Sequence, residues 1–234
     1  LEFRRVLFRS NIMPSIHMFH DRTDAGNKLA EVIFSDFCHE NLSTNWELNP
    51  IVYALPRGGL PVAVPVARRL GCPLSVVVAK KITLPSNPEL ALGAVTADGC
   101  LVWSKHKPGS LQVQYALIEK AQQKALSLLE KLSLGKPEIS SLNRLVIFVD
   151  DGIATGMTMI AAVKSIKLQK PNAIWICVPV APPELLQNLR KCCDRLIILE
   201  TPHPFLSVSR FYSKFTQVET EVALACLQQQ TEWL

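Results

Sequence analysis

The feature that most constrains the fold is the stretch from Asn143 to Ile160, which reads N-R-L-V-I-F-V-D-D-G-I-A-T-G-M-T-M-I. Its apolar run, Leu145 to Val149, has the length and the β-branched content of a buried parallel strand. The run stops at two adjacent carboxylates, Asp150 and Asp151, and an apolar segment at helical spacing follows a short glycine-containing turn. A buried strand that leads through such a turn into a helix is typical of an α/β protein.

The turn after this strand has the properties of an anion site. Gly152 and Gly156 lie in it, and the unpaired N–H groups and dipole of the following helix would point at whatever the turn holds. Thr155 and Thr158 add hydroxyl donors. With two carboxylates beside the turn, the pattern predicts a ligand with a phosphate at one end and hydroxyls, or a metal, at the other. A phosphorylated sugar fits that description.

Length and composition indicate one large-cored domain. The chain has 234 residues, of which 48% are hydrophobic, yet no apolar stretch approaches the roughly 18 residues that a membrane span needs, so we expect a soluble protein without a membrane partner. The net charge of +5 is modest and its cations are dispersed without interleaved aromatic residues. We therefore expect no nucleic-acid surface, whereas a local site for a polyanionic metabolite stays open.

The cysteines and histidines show no metal-binding or disulfide pattern. Seven cysteines form no C-x-x-C pair, Cys192 and Cys193 are adjacent, and the five histidines have no metal-ligand spacing. A reducing cytoplasm is the simplest setting, and we expect no transition metal held by the protein alone.

The first residues differ in character from the rest of the chain. Residues 1–10 are basic and apolar, which fits either a targeting peptide or the translation of a sequencing-adapter oligonucleotide, and we favour the second interpretation. The natural start is then Met13 or Met18. We expect residues 1–17 to be a non-native or disordered leader and residues 18–234 to form the domain.

Helical and extended patterns alternate along the rest of the chain. Helices are predicted at Met18 to Cys38, Leu60 to Leu70, Gly109 to Leu134, after the central strand to about Gln169, and at about Glu219 to Gln229. Strands are predicted at Asn49 to Leu55, Leu74 to Ala79, Ala173 to Val180 and Arg195 to Leu199, with a short hairpin at Gly93 to Val95 and Gly99 to Trp103. This alternation predicts a doubly wound, mostly parallel sheet.

A second candidate anion site follows the first predicted strand. The sequence P-R-G-G, Pro56 to Gly59, lets backbone N–H groups approach an anion closely, and Arg57 can place two donors on phosphate oxygens. The alternative is an ordinary turn that needs glycine for geometry alone. Lys80 and Lys81, directly after the next predicted strand, would bring positive charge to the same edge of the sheet, or would lie in a solvated loop.

The first predicted helix begins with several charged residues. We expect Asp21 or Thr23 to cap it, and Pro61 or Pro65 to start or break the second predicted helix. Either Arg22 and Asp24 are residues that compensate the helix dipole, or Arg22 lies near the ligand instead.

The segment V-D-D-G-I-A-T-G-M-T resembles the phosphoribosyl-pyrophosphate (PRPP) binding motif of type I phosphoribosyltransferases. Further segments look like successive blocks of a group of predicted phosphoribosyltransferases: F-H-D-R-T-D-A-G-N-K-L-A, L-P-R-G-G-L-P-V-A, A-K-K-I-T-L-P-S-N-P-E-L-A-L-G-A-V, P-V-A-P-P and F-Y-S-K-F-T-Q-V. The resemblance covers Met18 to about Val222. It implies the type I phosphoribosyltransferase fold, with a small hood made by the N- and C-terminal segments.

The resemblance also implies roles for the motif residues. Asp150 and Asp151 would accept hydrogen bonds from the ribose 2- and 3-hydroxyls, beside Gly152. The 5-phosphate would be held by Ala154, Thr155, Gly156, Met157 and Thr158. The pyrophosphate would be met by Arg57, Gly58, Gly59, Lys80 and Lys81. Asp150, Asp151 and Lys81 are the candidate catalytic residues.

The implied reaction joins the ribose of PRPP to a ring nitrogen of a base and releases pyrophosphate, as in nucleotide salvage. Mg²⁺ would bridge the pyrophosphate and ribose oxygens, with Asp150 and Asp151 as its candidate protein ligands. The strand before P-R-G-G would lie beside the strand before Asp150, and a mobile loop within Thr83 to Ala91, with the hairpin after it, would close over the site.

Some residues depart from the pattern of these relatives. Met157 replaces a small residue in the phosphate turn, Pro65 is unusual within a packing helix, and Glu119 to Leu132 carries lysines where the group often has arginines. A PRPP-binding regulator without turnover is the alternative to an enzyme. A general nucleotide-binding protein ranks last, because the sequence lacks G-x-G-x-x-G and the Walker pattern. The acceptor base is not identified, and a homodimer stays open.

Overall fold

A computed structural model describes residues 18–43, 49–87, 90–135 and 137–234, with the backbone alone at 41–43. The predicted leader, residues 1–17, lies outside the described residues. The helices are α1 (Arg22–Ser43), α2 (Gly59–Leu70), α3 (Leu111–Leu132), α4 (Met157–Lys167), α5 (Leu186–Arg190) and α6 (Thr220–Gln228). The strands are β1 (Pro50–Ala54), β2 (Leu74–Val76), β3 (Ala79–Ile82), β4 (Gly93–Thr96), β5 (Leu101–Trp103), β6 (Leu145–Val149), β7 (Ala173–Val180) and β8 (Arg195–Glu200).

The main sheet has five parallel strands in the order β2-β1-β6-β7-β8. The predicted doubly wound, mostly parallel α/β fold is thereby confirmed. Strand β6 is central, and all five of its residues are buried because both faces of the sheet are covered. Leu145, Ile147 and Val149 pack in the core that includes α1 and α2, whereas Val146 and Phe148 pack in the core that includes α4.

A second, antiparallel sheet has the order β3-β4-β5, with α3 on one face and α4 on the other. The predicted strand Leu74 to Ala79 is wrong, because β2 ends at Val76 and the chain crosses to the second sheet at Ala79. Lys80 and Lys81 therefore lie inside β3 and not beyond the end of a parallel strand. A continuous apolar run does not show where one strand ends and the next begins.

Helices α1 and α2 show how the chain approaches the site. The N–H of Asp24 donates to Oδ1 of Asp21 at 2.9 Å, so Asp21 is the cap of α1. Helix α2 continues through Pro65 without a break and ends at Gly71, whose φ of 59° lies in the left-handed region that favours glycine. Within the described residues, none of the helices is long and apolar enough to cross a membrane.

The two ends of the described chain pack together over one end of the main sheet. Phe19 pairs with Tyr212 in an isolated β-bridge, and their rings lie 5.3 Å apart. Phe211 and Val180 belong to the same apolar cluster. This cluster forms the hood that the sequence predicts, and it places the C-terminal segment beside the loop after β6.

Candidate active site

Two loops leave the main sheet side by side. Ala54 at the end of β1 pairs with Val149 at the end of β6, and the N–H of Leu55 donates to the carbonyl of Val149 at 3.0 Å. The P-R-G-G turn and the paired acids therefore emerge from adjacent parallel strands at the same level. The carboxyl ends of adjacent parallel strands are where open α/β sheets bind ligands.

The glycines of the P-R-G-G turn lie directly against the acids. A Cβ atom added at Gly58 would lie 2.2 Å from Oδ2 of Asp151, and one at Gly59 would lie 2.9 Å from the carbonyl oxygen of Val149. A side chain at either glycine would force the neighbouring carboxylate or backbone to shift. The requirement for glycine here is close approach, since Gly58 has an ordinary φ of −60°.

The two carboxylates form a closely coupled pair. The N–H of Asp151 donates to Oδ1 of Asp150 at 2.8 Å, and burial, together with the charge of Asp151, raises the pKa of Asp150 well above its usual range. Burial also raises the pKa of Asp151, and the Arg22 guanidinium offsets part of that rise. The Arg22 guanidinium thus favours the ionised form of both carboxyls, against the effect of burial.

Arg22 is the main cation at the acids. Its Nε donates to Oδ2 of Asp151 at 2.8 Å, and a second nitrogen donates to the carbonyl of Thr216 at 2.7 Å. The guanidinium carbon lies 3.7 Å from the centre of the Phe215 ring. Of the two sequence-based interpretations, Asp21 and Asp24 fit helix capping, whereas the position of Arg22 fits a ligand-site residue.

Tyr212 was not predicted as a site residue. Its hydroxyl donates to the main-chain carbonyl of Asp151 at 2.6 Å, and burial raises the pKa of this phenol. The sequence contains an aromatic cluster near the C-terminus, but a contact across 61 positions leaves no periodic signal in one sequence. The C-terminal segment thereby fixes the backbone of the second acid.

The turn from β6 into α4 is an open anion cradle. Gly156 precedes the helix with a φ of 74°, and among the described residues no acceptor contacts the backbone N–H groups of residues 154–158. The hydroxyls of Thr155 and Thr158 likewise have no hydrogen-bond partner in this part of the chain. Free N–H groups at a helix start bind phosphate readily.

Met157 does not obstruct this cradle. Its side chain packs with Ile160 against the cluster that contains Ala79, Ala94 and Val102 of the second sheet. The departure from a small residue is thus explained, because the methionine fills a space between α4 and the second sheet and leaves its N–H at the turn.

Arg57 and Lys80 lie together on the other side of the acids. They line one open cleft of about 690 Å³, together with Lys120, Gln123, Lys124, Ser127, Leu128, Lys131 and Thr220. Burial lowers the pKa of Lys80, and the charges of Arg57 and Lys124 lower it further. Arg57 donates to Oγ1 of Thr220 at 3.3 Å and lies 3.5 Å from a carboxylate oxygen of Glu219.

Lys81 is not brought to this cleft. Side chains alternate between the faces of a strand, so Lys81 lies on the face of β3 opposite to Lys80, and it is exposed. The sequence predicts one site for both lysines because they are adjacent in the chain. In a strand, however, adjacent side chains point to opposite faces.

The described residues contain no group of three or more His, Cys, Asp or Glu side chains placed to hold a metal ion. Asp150 and Asp151 are oxygen donors of the kind that Mg²⁺ prefers, but two carboxylates supply only part of its coordination shell. They fit a Mg²⁺ ion whose remaining ligands come from water and from a bound phosphate compound.

Comparisons with known proteins identify the family of this chain. The family model described as the phosphoribosyl transferase domain matches residues 30–212. Proteins of two Mycobacterium tuberculosis strains, provisionally named phosphoribosyl transferases, are 33% identical over 214 residues, which are 90% of this chain and 46% of theirs. The chain thus spans about half the length of the curated relatives that it matches.

A solved structure is similar over nearly the whole of both chains. The crystal structure of the protein TT1426 from Thermus thermophilus is 34% identical, with a TM-score of 0.72 and coverage of 92% of this chain and 98% of that chain. The similarity therefore extends over most of the fold of both chains.

Proposed function

The chain belongs to the phosphoribosyltransferase family, and from this premise we propose that it transfers the phosphoribosyl group of PRPP to a ring nitrogen of a nucleobase or a similar nucleophile. The observation that carries the proposal is the contact between the P-R-G-G turn and the paired acids, where a Cβ at Gly58 would lie 2.2 Å from Asp151. The contact brings the cationic turn next to the acids that precede the phosphate cradle. A ligand with phosphates at both ends requires two such anion sites close together.

Each end of PRPP has its own set of groups. The N–H groups of residues 154–158 and the hydroxyls of Thr155 and Thr158 bind the 5-phosphate. Asp150 and Asp151, beside Gly152, accept hydrogen bonds from the ribose hydroxyls. The backbone of Gly58 and Gly59 and the side chains of Arg57 and Lys80 bind the pyrophosphate. Lys80, and not Lys81, supplies the cation on this side.

The chemistry is a substitution at C1 of the ribose. The bond from C1 to the pyrophosphate oxygen breaks with its electron pair, the bond from C1 to the acceptor nitrogen forms, and the acceptor's proton leaves to a base or to water. Arg57 and Lys80 stabilise the charge that develops on the leaving group, and the protein positions both reactants. Mg²⁺, held in part by Asp150 or Asp151, would neutralise further charge on the pyrophosphate.

Arg22 has a positioning role in this scheme. Its ion pair with Asp151 and its contact with Phe215 hold the second carboxylate in place and favour its ionised form. An ionised carboxylate is the stronger acceptor for a ribose hydroxyl. The loop within Thr83 to Ala91 as a cover for the site stays a prediction.

The first experiment measures whether PRPP binds to these groups. PRPP with Mg²⁺ should raise the Tm of the protein, and the double variant Asp150→Asn, Asp151→Asn should lose that shift. The matched control is Asp21→Asn, which retains the helix cap and lies outside the loop after β6. A shift that persists in the double variant would remove these carboxylates from the site.

The second experiment separates an enzyme from a regulator. Nucleobases and related nitrogen compounds are screened for pyrophosphate release from PRPP. Release with a particular base identifies the acceptor. Tight PRPP binding without release for any base would contradict the transfer reaction and favour a PRPP-binding regulatory protein.

A further inference from the structure

The cleft beside the P-R-G-G turn carries more positive charge than pyrophosphate needs. Arg57 and four lysines line it, and none of its lining residues is acidic. The net charge of the whole chain is +5, so this one cleft holds as many cations as the entire sequence has in excess. Glu219 contacts Arg57 from the rim, at 3.5 Å, and is the only carboxylate paired with a cleft cation within the described residues.

Three of these lysines form a row along α3. Lys120, Lys124 and Lys131 share one face with Gln123 and Ser127 at the three- and four-residue spacing of a helix surface. The adjacent side of α3 is apolar, with Leu117, Ala121 and Ala125 buried against the rest of the protein. The row therefore follows from the amphipathic pattern of the helix.

An ordinary solvated helix face would have a different charge pattern. Such faces alternate acids and bases at four-residue spacing, which stabilises the helix, whereas Lys120 and Lys124 form a like-charge pair at that spacing. Lys80, Lys120, Lys124 and Lys131 form no ion pair with any described residue. The positive charges of these lysines are thus not balanced by nearby carboxylates, and an anionic ligand would balance them.

The dimensions of the row exclude pyrophosphate as its whole ligand. Lys131 lies eleven positions after Lys120, which corresponds to about 16 Å of helix. Pyrophosphate is much shorter than this row, and the P-R-G-G turn already faces it. The lining also has no aromatic ring on which a nucleobase could stack, and its five cations favour phosphate oxygens as the main ligand atoms.

We propose that this cleft binds an oligophosphate, a phosphate chain longer than pyrophosphate, which extends from the P-R-G-G turn along the lysine row of α3. The inference goes beyond the proposed transfer reaction and does not require it. An acceptor base would approach C1 from the side opposite to the leaving group, so a ligand on the pyrophosphate side is not the acceptor. It acts instead as a ligand that competes with PRPP for Arg57 and Lys80.

The test measures binding of inorganic tripolyphosphate to the full chain by calorimetry, without Mg²⁺ and at low salt. The variant Lys120→Gln, Lys131→Gln removes two cations from the row and leaves Arg57 and Lys80 in place. The matched control, Lys164→Gln with Lys167→Gln, removes the same charge from exposed positions in the last turn of α4, outside the cleft. All four lysines are exposed, so both proteins should fold, and their Tm without ligand verifies this.

Tripolyphosphate should bind wild type more tightly than pyrophosphate does, and the α3 variant should weaken it about fivefold while the control leaves it unchanged. Pyrophosphate binding should change little in either variant. Equal affinity for the two anions in wild type, or equal weakening in the two variants, would overturn the proposal. PRPP that fails to bind, with tripolyphosphate still dependent on α3, would contradict the proposed transfer reaction and support this inference.

A nucleoside triphosphate distinguishes the source of the chain. ATP that binds less tightly than tripolyphosphate, with the same dependence on Lys120 and Lys131, would assign the site to inorganic oligophosphate. ATP that binds more tightly, again with that dependence, would assign it to the phosphate tail of a nucleotide. Both results support an oligophosphate site. An affinity for ATP or tripolyphosphate that is the same in wild type and in the Lys120→Gln, Lys131→Gln variant contradicts it.

Discussion

The two sides of the paired acids offer different groups to an anion. On the β6 side, backbone N–H groups of residues 154–158 and two threonine hydroxyls surround the turn. On the β1 side, side-chain cations from the P-R-G-G turn, β3 and α3 face an open cleft. The first side depends on backbone geometry and the second on charge, so substitutions and salt should affect them differently.

The largest effect is expected where the two sides meet. Gly58→Ala places a methyl group at 2.2 Å from Oδ2 of Asp151, so the turn or the carboxylate must move. Displacements of about 1 Å at such a site can weaken function about 100-fold, and we expect a loss of PRPP affinity of this order in a calorimetric titration. Gly109→Ala is the control, because its Cβ would contact nothing within 4 Å. Unchanged PRPP affinity in Gly58→Ala would mean that the two sides are separate sites.

The next effect concerns the free energy of unfolding, which the buried acids lower in the unliganded protein. Because burial and the charge of Asp151 raise the pKa of Asp150, the folded protein binds this proton more tightly than the unfolded chain does. The stabilisation by this bound proton is complete below a pH of about 3.9, the usual pKa of an aspartate in the unfolded chain. It is lost as pH rises through the higher pKa that Asp150 has in the folded protein. Asp150→Asn should therefore raise the free energy of unfolding by about 2 kcal/mol near neutral pH.

Denaturant unfolding of Asp150→Asn and wild type across this pH range measures the gain. The difference should disappear under acidic conditions, where Asp150 is protonated in wild type as well. A gain that stays constant with pH would show that the carboxylate charge is not its cause. Asn87→Asp, at an exposed loop position, serves as the control for a carboxylate and amide exchange.

A third comparison uses salt to separate the two sides. Lys80→Gln should weaken PRPP binding about tenfold at low salt, and this difference should shrink as salt rises to about 0.15 M because charge interactions are screened. Thr158→Val removes a neutral donor and should weaken binding by a factor that does not depend on salt. Titrations of both variants at two salt concentrations test this. The same salt dependence in both variants would contradict the claim that only the β1 side depends on charge.

The smallest effect is expected at the hood. Tyr212→Phe removes the hydrogen bond to the carbonyl of Asp151 and should lower the free energy of unfolding by about 1 kcal/mol. Tyr115→Phe is the control, since Tyr115 is exposed on α3. Chemical denaturation of the two variants gives the comparison. If Tyr212→Phe matched its control, the hood would not support the site backbone.

The elements that could be predicted from the sequence are those whose environment is uniform. Strands β6 and β7 have the predicted bounds, because the buried apolar run of β6 ends at Asp150 and that of β7 ends just before two consecutive prolines, Pro182 and Pro183. The crossing from β2 to β3 was missed, since the apolar run that contains β2 continues without interruption to Ala79, the first residue of β3. The side of β3 on which each lysine lies depends on that crossing.

The predicted ligand-site residues remain proposals, and the structure shows which of them lie together. Local motifs identified the phosphate turn and the P-R-G-G turn. Arg22 was open between two interpretations, because its ion pair with Asp151 spans 129 positions. The lysines of α3 were noted only as a departure from relatives, since their relation to Arg57 exists only once α3 packs on the second sheet.

The pairing of Ala54 with Val149 has an evolutionary consequence. The P-R-G-G loop and the loop after β6 leave neighbouring strands, at a spacing of about 4.8 Å that the hydrogen-bond ladder of any parallel sheet imposes. Because the ladder and not the loops sets this separation, substitutions within either loop leave the distance between the two strand ends unchanged as long as Ala54 stays paired with Val149. A lineage that keeps this register can therefore vary each loop independently.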